Sequence, residues 1–275
     1  MSGAGIAGED LPTALILAGS RGPDDPVAAL GGVSHKAMVP VLGRPMLLRV
    51  VETLAGSGLV GRIIVQIERP ELPASLPELA ALQAGGRLAV EMAAASPSRS
   101  LLKAFRDHPE VPSWIVTTAD HPLLDAAMLR HFWQALPPGT EAAAALASAQ
   151  TIGRAYPGTR RTYLKFRDRR VSGCNLFAFR GPNVARVPDF WIALERHRKR
   201  PWRMAWEIGP LVTLAFLCRL LSQAQVFRIL SRRIGVRAVA IDMPFAEAAI
   251  DVDKAEDLAL VEKILARREG AMATG

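Results

Sequence analysis

Apolar residues in the first half of the chain follow two alternating patterns. Short apolar runs typical of buried strands cover residues 14–18, 62–67, 87–92 and 114–118. Segments with helical spacing and helix-start or helix-stop residues lie between or after them, at 45–55, 73–84, 98–107 and from 125 to about 136. This alternation predicts an α/β fold: a mostly parallel sheet with helices on both faces, binding its ligands at the carboxyl ends of the strands.

The second half of the chain has a different character. Residues 162–167 and 171–179 predict a hairpin, 142–145 a buried strand, and 236–241 another strand. Residues 183–234 are predicted to be mostly helical, and Lys254 to Arg268 to form a helix capped by Asp253. We therefore expect a single domain over 1–275, with a basic helical insertion at 183–235 and a flexible tail at 269–275.

Charge is concentrated in one segment. Residues 186–237 contain eleven Lys/Arg and three acids, a net charge of +8 that equals the whole chain's, so the remainder is neutral. This imbalance predicts a local anionic partner. Two cysteines without a CxxC motif favour a reducing compartment and no structural zinc, and the N-terminus lacks the pattern of a signal peptide, so we expect a cytoplasmic protein.

The first candidate site follows the first strand. Residues 14–18 lead into the turn Gly19-Ser20-Arg21-Gly22, and Lys36 follows within HKAMVPVLGRPML. Glycine lets backbone N–H groups approach an anion closely, and a lysine supplies charge for polyphosphate. The turn matches neither GxGxxG nor GxxxxGK[ST], so by itself it indicates a phosphate cradle of unspecified type.

Two acidic segments supply candidate metal ligands. In TTADHPLLD, Asp120 ends an apolar strand, where a carboxylate can hold Mg²⁺ against phosphates or simply cap a loop. In AIDVDKAEDL, Asp251 and Asp253 alternate, so only one of them can face a given site. Asp253 also fits a helix N-cap, with Glu256 completing a pattern like a capping box.

Together these segments resemble the MobA-like nucleotidyltransferases. LILAGSRG with KAMVPVLGRPML is similar to the family's glycine-loop and lysine signature, TADHPLL to its strand-terminal metal aspartate, and VDKAEDL to its late second metal ligand. The resemblance spans about residues 15–265 and is weak between 186 and 237. It implies a Rossmann-like, GT-A-like fold and a Mg²⁺-dependent transfer of NMP from an NTP to a phosphorylated acceptor, releasing pyrophosphate.

The resemblance also assigns roles to residues. It places Lys36 and Arg21 in catalysis, Asp120 and Asp253 on the metal, and a further set on the nucleotide or acceptor: Ala18, Gly19, Ser20, Ser98, Ser100 and Asn175. Ser98 is also the expected N-cap of its helix. The insert from Gly22 to His35 is longer than the family's and brings Asp24 and Asp25 near the phosphates, which is unhelpful unless they face solvent. Lys36 is therefore favoured over Arg21.

The basic segment suggests a partner. Residues 208–217 (IGPLVTLAFL) are apolar but too short to span a bilayer, and RHRKRPWR with Trp191, Trp202 and Trp206 lies upstream. This composition is typical of an interfacial membrane element, or of a helix packed on the core or in a homodimer. The basic cluster within 196–233 favours an anionic partner, either a membrane surface or the substrate itself, and a lipid or headgroup phosphate is a candidate acceptor. Nucleic acid is disfavoured because no binding motif with interleaved aromatics is present.

Other readings of the chain remain at this point. Asp251-Val-Asp253 is a DxD, as in GT-A glycosyltransferases that use nucleotide sugars, although there the motif ends a mid-domain strand. A non-catalytic nucleotide-binding or membrane-adapter protein is a further alternative. The sequence does not decide between CTP and GTP, and only analogy with lipid-headgroup activation favours CTP.

Overall fold

The computed structural model describes residues 11–20, 22, 25–159, 161–197 and 201–273. Strands of this part are β1 (Thr13–Leu17), β2 (Pro40–Val41), β3 (Arg44–Pro45), β4 (Arg62–Ile67), β5 (Leu88–Met92), β6 (Ser113–Thr118), β7 (Ala142–Ser148), β8 (Leu164–Lys165), β9 (Arg170–Arg180) and β10 (Ala238–Met243). The helices are α1 (Pro26–Leu30), α2 (Met46–Gly56), α3 (Glu71–Ala74), α4 (Pro77–Ala84), α5 (Pro97–Asp107), α6 (Ala126–Gln134), α7 (Ala149–Ala155), α8 (Arg186–Arg196), α9 (Pro201–Ile208), α10 (Pro210–Leu217), α11 (Gln223–Ile234) and α12 (Ala255–Ala273).

The described residues form two compact units. The first contains the described parts of 1–94, 115–130 and 250–275, and the second contains 95–114 and 131–249. The predicted insertion at 183–235 lies wholly in the second unit. The single-domain assignment stays a prediction.

The first unit is built on parallel strands. Its strand order is β6-β1-β4-β5, and both the β1–β4 and β4–β5 pairs are parallel. Ala14, Leu15 and Ile16 of β1 are all fully buried. A continuous apolar run of this kind is typical of a parallel strand covered on both faces. The predicted α/β class with a mostly parallel sheet is confirmed.

The second unit contains the antiparallel strands. β7 pairs parallel with β10 and antiparallel with β9, and β8 forms the predicted hairpin with β9. A cluster of aromatic rings stabilises this unit: Trp114 lies 5.4 Å from Phe105, and Phe179 is 5.2 Å from the same ring, between centroids. Trp191 contacts Phe179 edge-on at 6.4 Å, which fits the alternative of a helix packed on the core, and its membrane role stays a prediction.

Several predicted boundaries are corrected. The helix expected at 73–84 is two helices, α3 and α4, because Pro77 begins a new one. The terminal helix does not end at Arg268 but continues to Ala273, so the tail expected from 269 is helical as far as the structure describes it. Among the described residues, no helix is both long and apolar enough to cross a membrane.

Candidate active site

The glycine turn follows β1 directly, as the sequence predicts. Ala18 is buried, and its N–H donates to the carbonyl of Gln66 at 2.9 Å, which continues the β1–β4 ladder by one residue. At Gly19 a Cβ would lie 3.2 Å from Oε1 of Glu68, tighter than most Cβ contacts. Glycine at this position therefore allows an acidic group to approach the turn closely. Arg21 lies outside the described residues.

A carboxylate rests on this turn. The Ser20 N–H donates to Glu68 at 3.0 Å to Oε1 and 3.3 Å to Oε2. The buried His35 accepts at Nδ1 from the N–H of Ala37 (3.2 Å), so its Nε2 carries the proton donated to Glu68 Oε2 at 3.1 Å. Glu68 thus accepts from a backbone N–H of the turn that the sequence predicts to be a phosphate cradle.

Neither Glu68 nor His35 was singled out from the sequence. Asp120 was chosen because it is a carboxylate at the carboxyl end of a predicted strand. The same criterion selects Glu68, which is the first residue after β4 and so lies at the carboxyl end of a parallel strand. His35 carried no comparable signal. Its role depends on burial and on a partner 33 positions away in sequence.

Lys36 joins the two predicted metal ligands. Its Nζ donates to Asp120 Oδ2 at 2.6 Å and to Asp253 Oδ1 at 2.9 Å. The Lys36 and Asp120 side chains are 13 % and 19 % exposed, whereas that of Asp253 is 52 % exposed. The structure therefore brings together three residues from separate segments, with one ammonium between two carboxylates.

Local contacts fix the two aspartates. Thr118 Oγ1 donates to Asp120 Oδ1 at 2.6 Å, and the N–H of Val252 donates to the Asp120 carbonyl at 2.9 Å. The N–H of Asp253 donates to the Oδ2 of the buried Asp257 at 3.2 Å. The expected return bond from Glu256 is thus replaced by one from Asp257. This leaves Asp253 Oδ1 directed at Lys36.

The two carboxylates favour the protonated form of Lys36. Burial lowers the pKa of this amine, but the charge and hydrogen bond of Asp120, followed by those of Asp253, outweigh burial. The pKa is therefore raised above its usual 10.5. Lys36 is a stable cation at neutral pH.

The aspartate pair fits a magnesium ion chemically. Its donors are hard carboxylate oxygens, and both lie within hydrogen-bonding distance of a single cationic atom, Lys36 Nζ. Mg²⁺ commonly uses one or two carboxylates and takes its other ligands from phosphates and water. Within the described residues no group of three or more His, Cys, Asp or Glu side chains is arranged to hold a metal. Asp120 and Asp253 would therefore hold the ion together with a substrate.

The extra insert does not place Asp25 in solvent beside the phosphates, as the sequence led us to consider. Asp25 is buried and caps α1, accepting from the N–H groups of Val27 (2.9 Å) and Ala28 (3.2 Å). These two donors satisfy the charge and make Asp25 a structural residue. Asp24 lies outside the described residues.

The other predicted nucleotide contacts belong to the second unit. Ser98 and Ser100 are both buried in α5, but Ser98 is not the N-cap, because the Ser96 hydroxyl accepts from the N–H of Arg99 (3.4 Å). Asn175 has a positive φ of 46° in β9, where the pairing with β7 shifts register. Such bulges redirect a side chain, and Asn tolerates this conformation better than most residues. The ligand roles of Ser98, Ser100 and Asn175 stay predictions.

Solved structures share this fold. A structure described as a hypothetical transferase from Thermus thermophilus has 27% sequence identity and a TM-score of 0.73, covering 90% of this chain and 99% of its own. The 4-diphosphocytidyl-2C-methyl-D-erythritol synthase of Anaerococcus prevotii has 13% identity and a TM-score of 0.57, covering 96% and 99%. A CMP:2-keto-3-deoxy-manno-octonic acid synthetase complexed with CTP has 14% identity and a TM-score of 0.51, covering 94% and 98%.

Sequence comparison identifies the family. No curated protein matches the chain. The model of the MobA-like NTP transferase domain matches residues 14–177, which is more than half of the chain and includes Lys36 and Asp120. The chain therefore belongs to the MobA-like NTP transferase family and is a nucleotidyltransferase.

Proposed function

We propose that the chain transfers a nucleoside monophosphate from CTP or GTP to a phosphorylated acceptor, with Mg²⁺ and release of pyrophosphate. The observation that carries this proposal is the Lys36 ammonium 2.6 Å from Asp120 and 2.9 Å from Asp253. One cation and two carboxylates beside a glycine turn meet the needs of a reaction in which charge accumulates on phosphate oxygens.

The proposed reaction balances as a displacement at phosphorus. A phosphate oxygen of the acceptor attacks the α-phosphorus of the NTP, a new P–O bond forms, and the bond to the β-phosphate oxygen breaks to release pyrophosphate. Mg²⁺, when bound, would neutralise charge on the phosphates. Lys36 would stabilise the negative charge that develops at the α-phosphate, and the Ser20 N–H would bind a phosphate oxygen in place of Glu68.

Cytidine nucleotides are the favoured donors. Two proteins with a similar fold have cytidine chemistry in their names: the diphosphocytidyl-methylerythritol synthase, and the octonic acid synthetase bound to CTP. A thermal-shift screen of the four NTPs with Mg²⁺ tests this, because a ligand present at 100 times its dissociation constant stabilises by about 2.7 kcal/mol. We expect the largest shift with CTP, and a larger shift with GTP would reverse the assignment.

The acceptor is proposed to carry a phosphate, and a lipid or headgroup phosphate is the candidate that the net charge of +8 over residues 186–237 supports. A cytoplasmic protein working at the inner membrane face is the corresponding location. A panel of soluble and lipid-linked phosphates in the activity assay would separate the two kinds of acceptor.

Pyrophosphate release from each NTP, with Mg²⁺ and that panel, tests the activity. Asp120→Asn and Lys36→Ala are each expected to lower the rate by about 100-fold or more, as loss of a group that stabilises transition-state charge does. The matched controls are Asp107→Asn and Lys103→Ala, which remove an exposed ion pair on α5. Control variants should keep the parent rate. Unchanged rates for Asp120→Asn and Lys36→Ala would refute the proposal, and consumption of a nucleotide sugar without pyrophosphate would favour the glycosyltransferase alternative.

A further inference from the structure

Helix α10 exposes a row of leucines. Its sequence, Pro210–Leu217 (PLVTLAFL), contains no charged residue. Leu211 is 80% exposed, Leu214 58%, Leu217 71%, and Leu220 just beyond the helix 60%. A helix that is apolar all round is normally buried. Here one side is not, and large exposed apolar patches mark interaction sites.

The other side of α10 anchors it. Phe216 packs edge-on against the buried Phe166, with 5.7 Å between ring centroids, and joins a small core with Leu146 and Val171. Thr213 Oγ1 donates to the carbonyl of Ala205 at 3.4 Å, which ties α10 to α9. The exposed leucines are therefore not needed to hold the helix in place.

Arginines, and no acidic residues, accompany the leucine row in the sequence. Residues 208–241 contain five arginines and no Asp or Glu: Arg219, Arg228, Arg232, Arg233 and Arg237. All five are exposed, but the N–H of Arg237 donates to Glu141 Oε2 at 2.8 Å, so this arginine is left out of the leucine face. Arg233 donates through Nη2 to the carbonyl of Trp206 at 3.3 Å, and the Trp206 side chain is 73% exposed. Cations and an exposed tryptophan thus lie on elements in direct contact with one another.

Arg219 adds a cation at the end of the leucine row. It has a left-handed φ of 57°, a conformation that favours glycine after a helix. An arginine at this position places positive charge at the C-terminal end of an apolar helix, where it also complements the helix dipole. The exposed Leu220 follows it directly.

We propose that this leucine–arginine face docks on an anionic lipid bilayer; it is defined as Leu211, Leu214, Leu217, Leu220 and Trp206 with Arg219, Arg228, Arg232 and Arg233. The leucines would enter the boundary of the acyl chains while the arginines contact anionic headgroups. Both signals are needed, because apolar contact or charge alone gives only weak membrane binding.

The charge and the apolar character of the face favour a bilayer over two other partners, a second copy of the chain and nucleic acid. A second copy of the chain would bring two surfaces of the same positive sign together, which opposes association. Nucleic acid would pair with the arginines but would leave the leucines in water. Of these three partners, only an anionic bilayer supplies both negative charge and hydrocarbon. This docking goes beyond the nucleotidyl transfer proposed above and is measured without NTP or acceptor, so either can fail while the other stands.

Vesicle flotation tests the docking with the full chain. We expect binding to phosphatidylcholine vesicles containing phosphatidylglycerol, little binding to phosphatidylcholine alone, and a loss of binding at high salt. Arg228→Gln with Arg232→Gln should weaken binding by about fivefold per arginine. Leu214→Gln with Leu217→Gln should weaken it by about tenfold or more. All four substituted side chains are exposed to solvent on α10 and α11, so the variants should keep the fold.

Matched controls come from the first unit. Leu30→Gln changes an exposed leucine (59%), and Lys263→Gln with Arg267→Gln removes two exposed cations from α12. These variants should bind vesicles like the parent. Binding reduced equally by the control variants, or equal recovery with neutral and anionic vesicles, would overturn the proposal.

A fluorescent label gives a second readout, which detects docking directly and does not depend on variants that bind more weakly. Cys218 is exposed at the end of α10, while the chain's other cysteine, Cys174, is buried. An environment-sensitive dye on Cys218 should shift to shorter wavelength with anionic vesicles. No shift, or a dimer in solution that Leu214→Gln with Leu217→Gln dissociates, would assign the face to something other than a membrane.

Discussion

Replacing Lys36 with methionine separates its electrostatic role from its packing. The substitution keeps an unbranched side chain but removes the ammonium that lies 2.6 Å from Asp120 and 2.9 Å from Asp253. Two carboxylates are then left without the cation between them. We expect the variant to be less stable without metal, and to gain more stability than the parent from Mg²⁺, because the ammonium no longer competes for the same oxygens.

The expected loss of stability in Lys36→Met can be judged from how deeply its two ion pairs are buried. The bond to Asp120 joins two side chains that are 13 % and 19 % exposed, and a hydrogen bond between charged groups contributes about 1.5–3 kcal/mol. Asp253 is 52 % exposed, so solvent screening limits its share to about 1 kcal/mol or less. The total of about 1.5–4 kcal/mol corresponds to a fall in Tm of roughly 3–16 °C for a chain of this size.

The pH dependence has a definite sign. The pKa of Lys36 is raised above 10.5, so its stabilisation is fully present below that pH and is lost as the pH rises through the folded-state value. The stability difference between parent and Lys36→Met should therefore be constant from neutral pH to about pH 9 and should shrink in stronger alkali.

Thermal unfolding with and without Mg²⁺ is the assay. The control is Lys103→Met, whose partner Asp107 forms an exposed pair on α5 that should contribute less than about 1 kcal/mol and respond to no metal. The reasoning is falsified if Mg²⁺ raises the Tm of the parent and of Lys36→Met by the same amount.

Substitutions at three further positions test other contacts. Glu68→Gln removes negative charge from the turn at Ser20, so inorganic triphosphate should bind about tenfold more tightly by calorimetry, and weaker binding would show that Glu68 contacts the ligand. Asp25→Ala should cost about 1–2 kcal/mol in urea unfolding through loss of the α1 cap, while Asp25→Asn should keep most of that stability. Arg180→Gln should cost about 1 kcal/mol and change tryptophan fluorescence, because this guanidinium lies 3.9 Å from the ring centroid of Trp133; an unchanged spectrum would contradict that contact.

The features that were predicted well from the sequence depend on residues close together in the chain. Strand β4 was predicted with its observed bounds, because four of its six residues are apolar and β-branched, a composition that favours a strand. The helix predicted from residue 125 is α6, and Asp125 lies at its start and accepts from the N–H of Met128 at 2.9 Å. Ser96 and Ser98 show the limit of this reasoning. Both are candidate caps by residue type, and only backbone geometry decides that Ser96 is the cap.

By itself, the sequence determined the alternation of the main strands and helices in the first half of the chain, the glycine turn after β1, and the placement of Asp120 at a strand end. These depend on residues within a few positions of one another. The tertiary structure decided that Lys36 meets Asp120 and Asp253, which are 84 and 217 positions away, and that Glu68 rests on the turn at Ser20. It also decided which side of α10 faces solvent. Such contacts join distant segments and depend on how the whole chain packs, which hydrophobic periodicity does not specify.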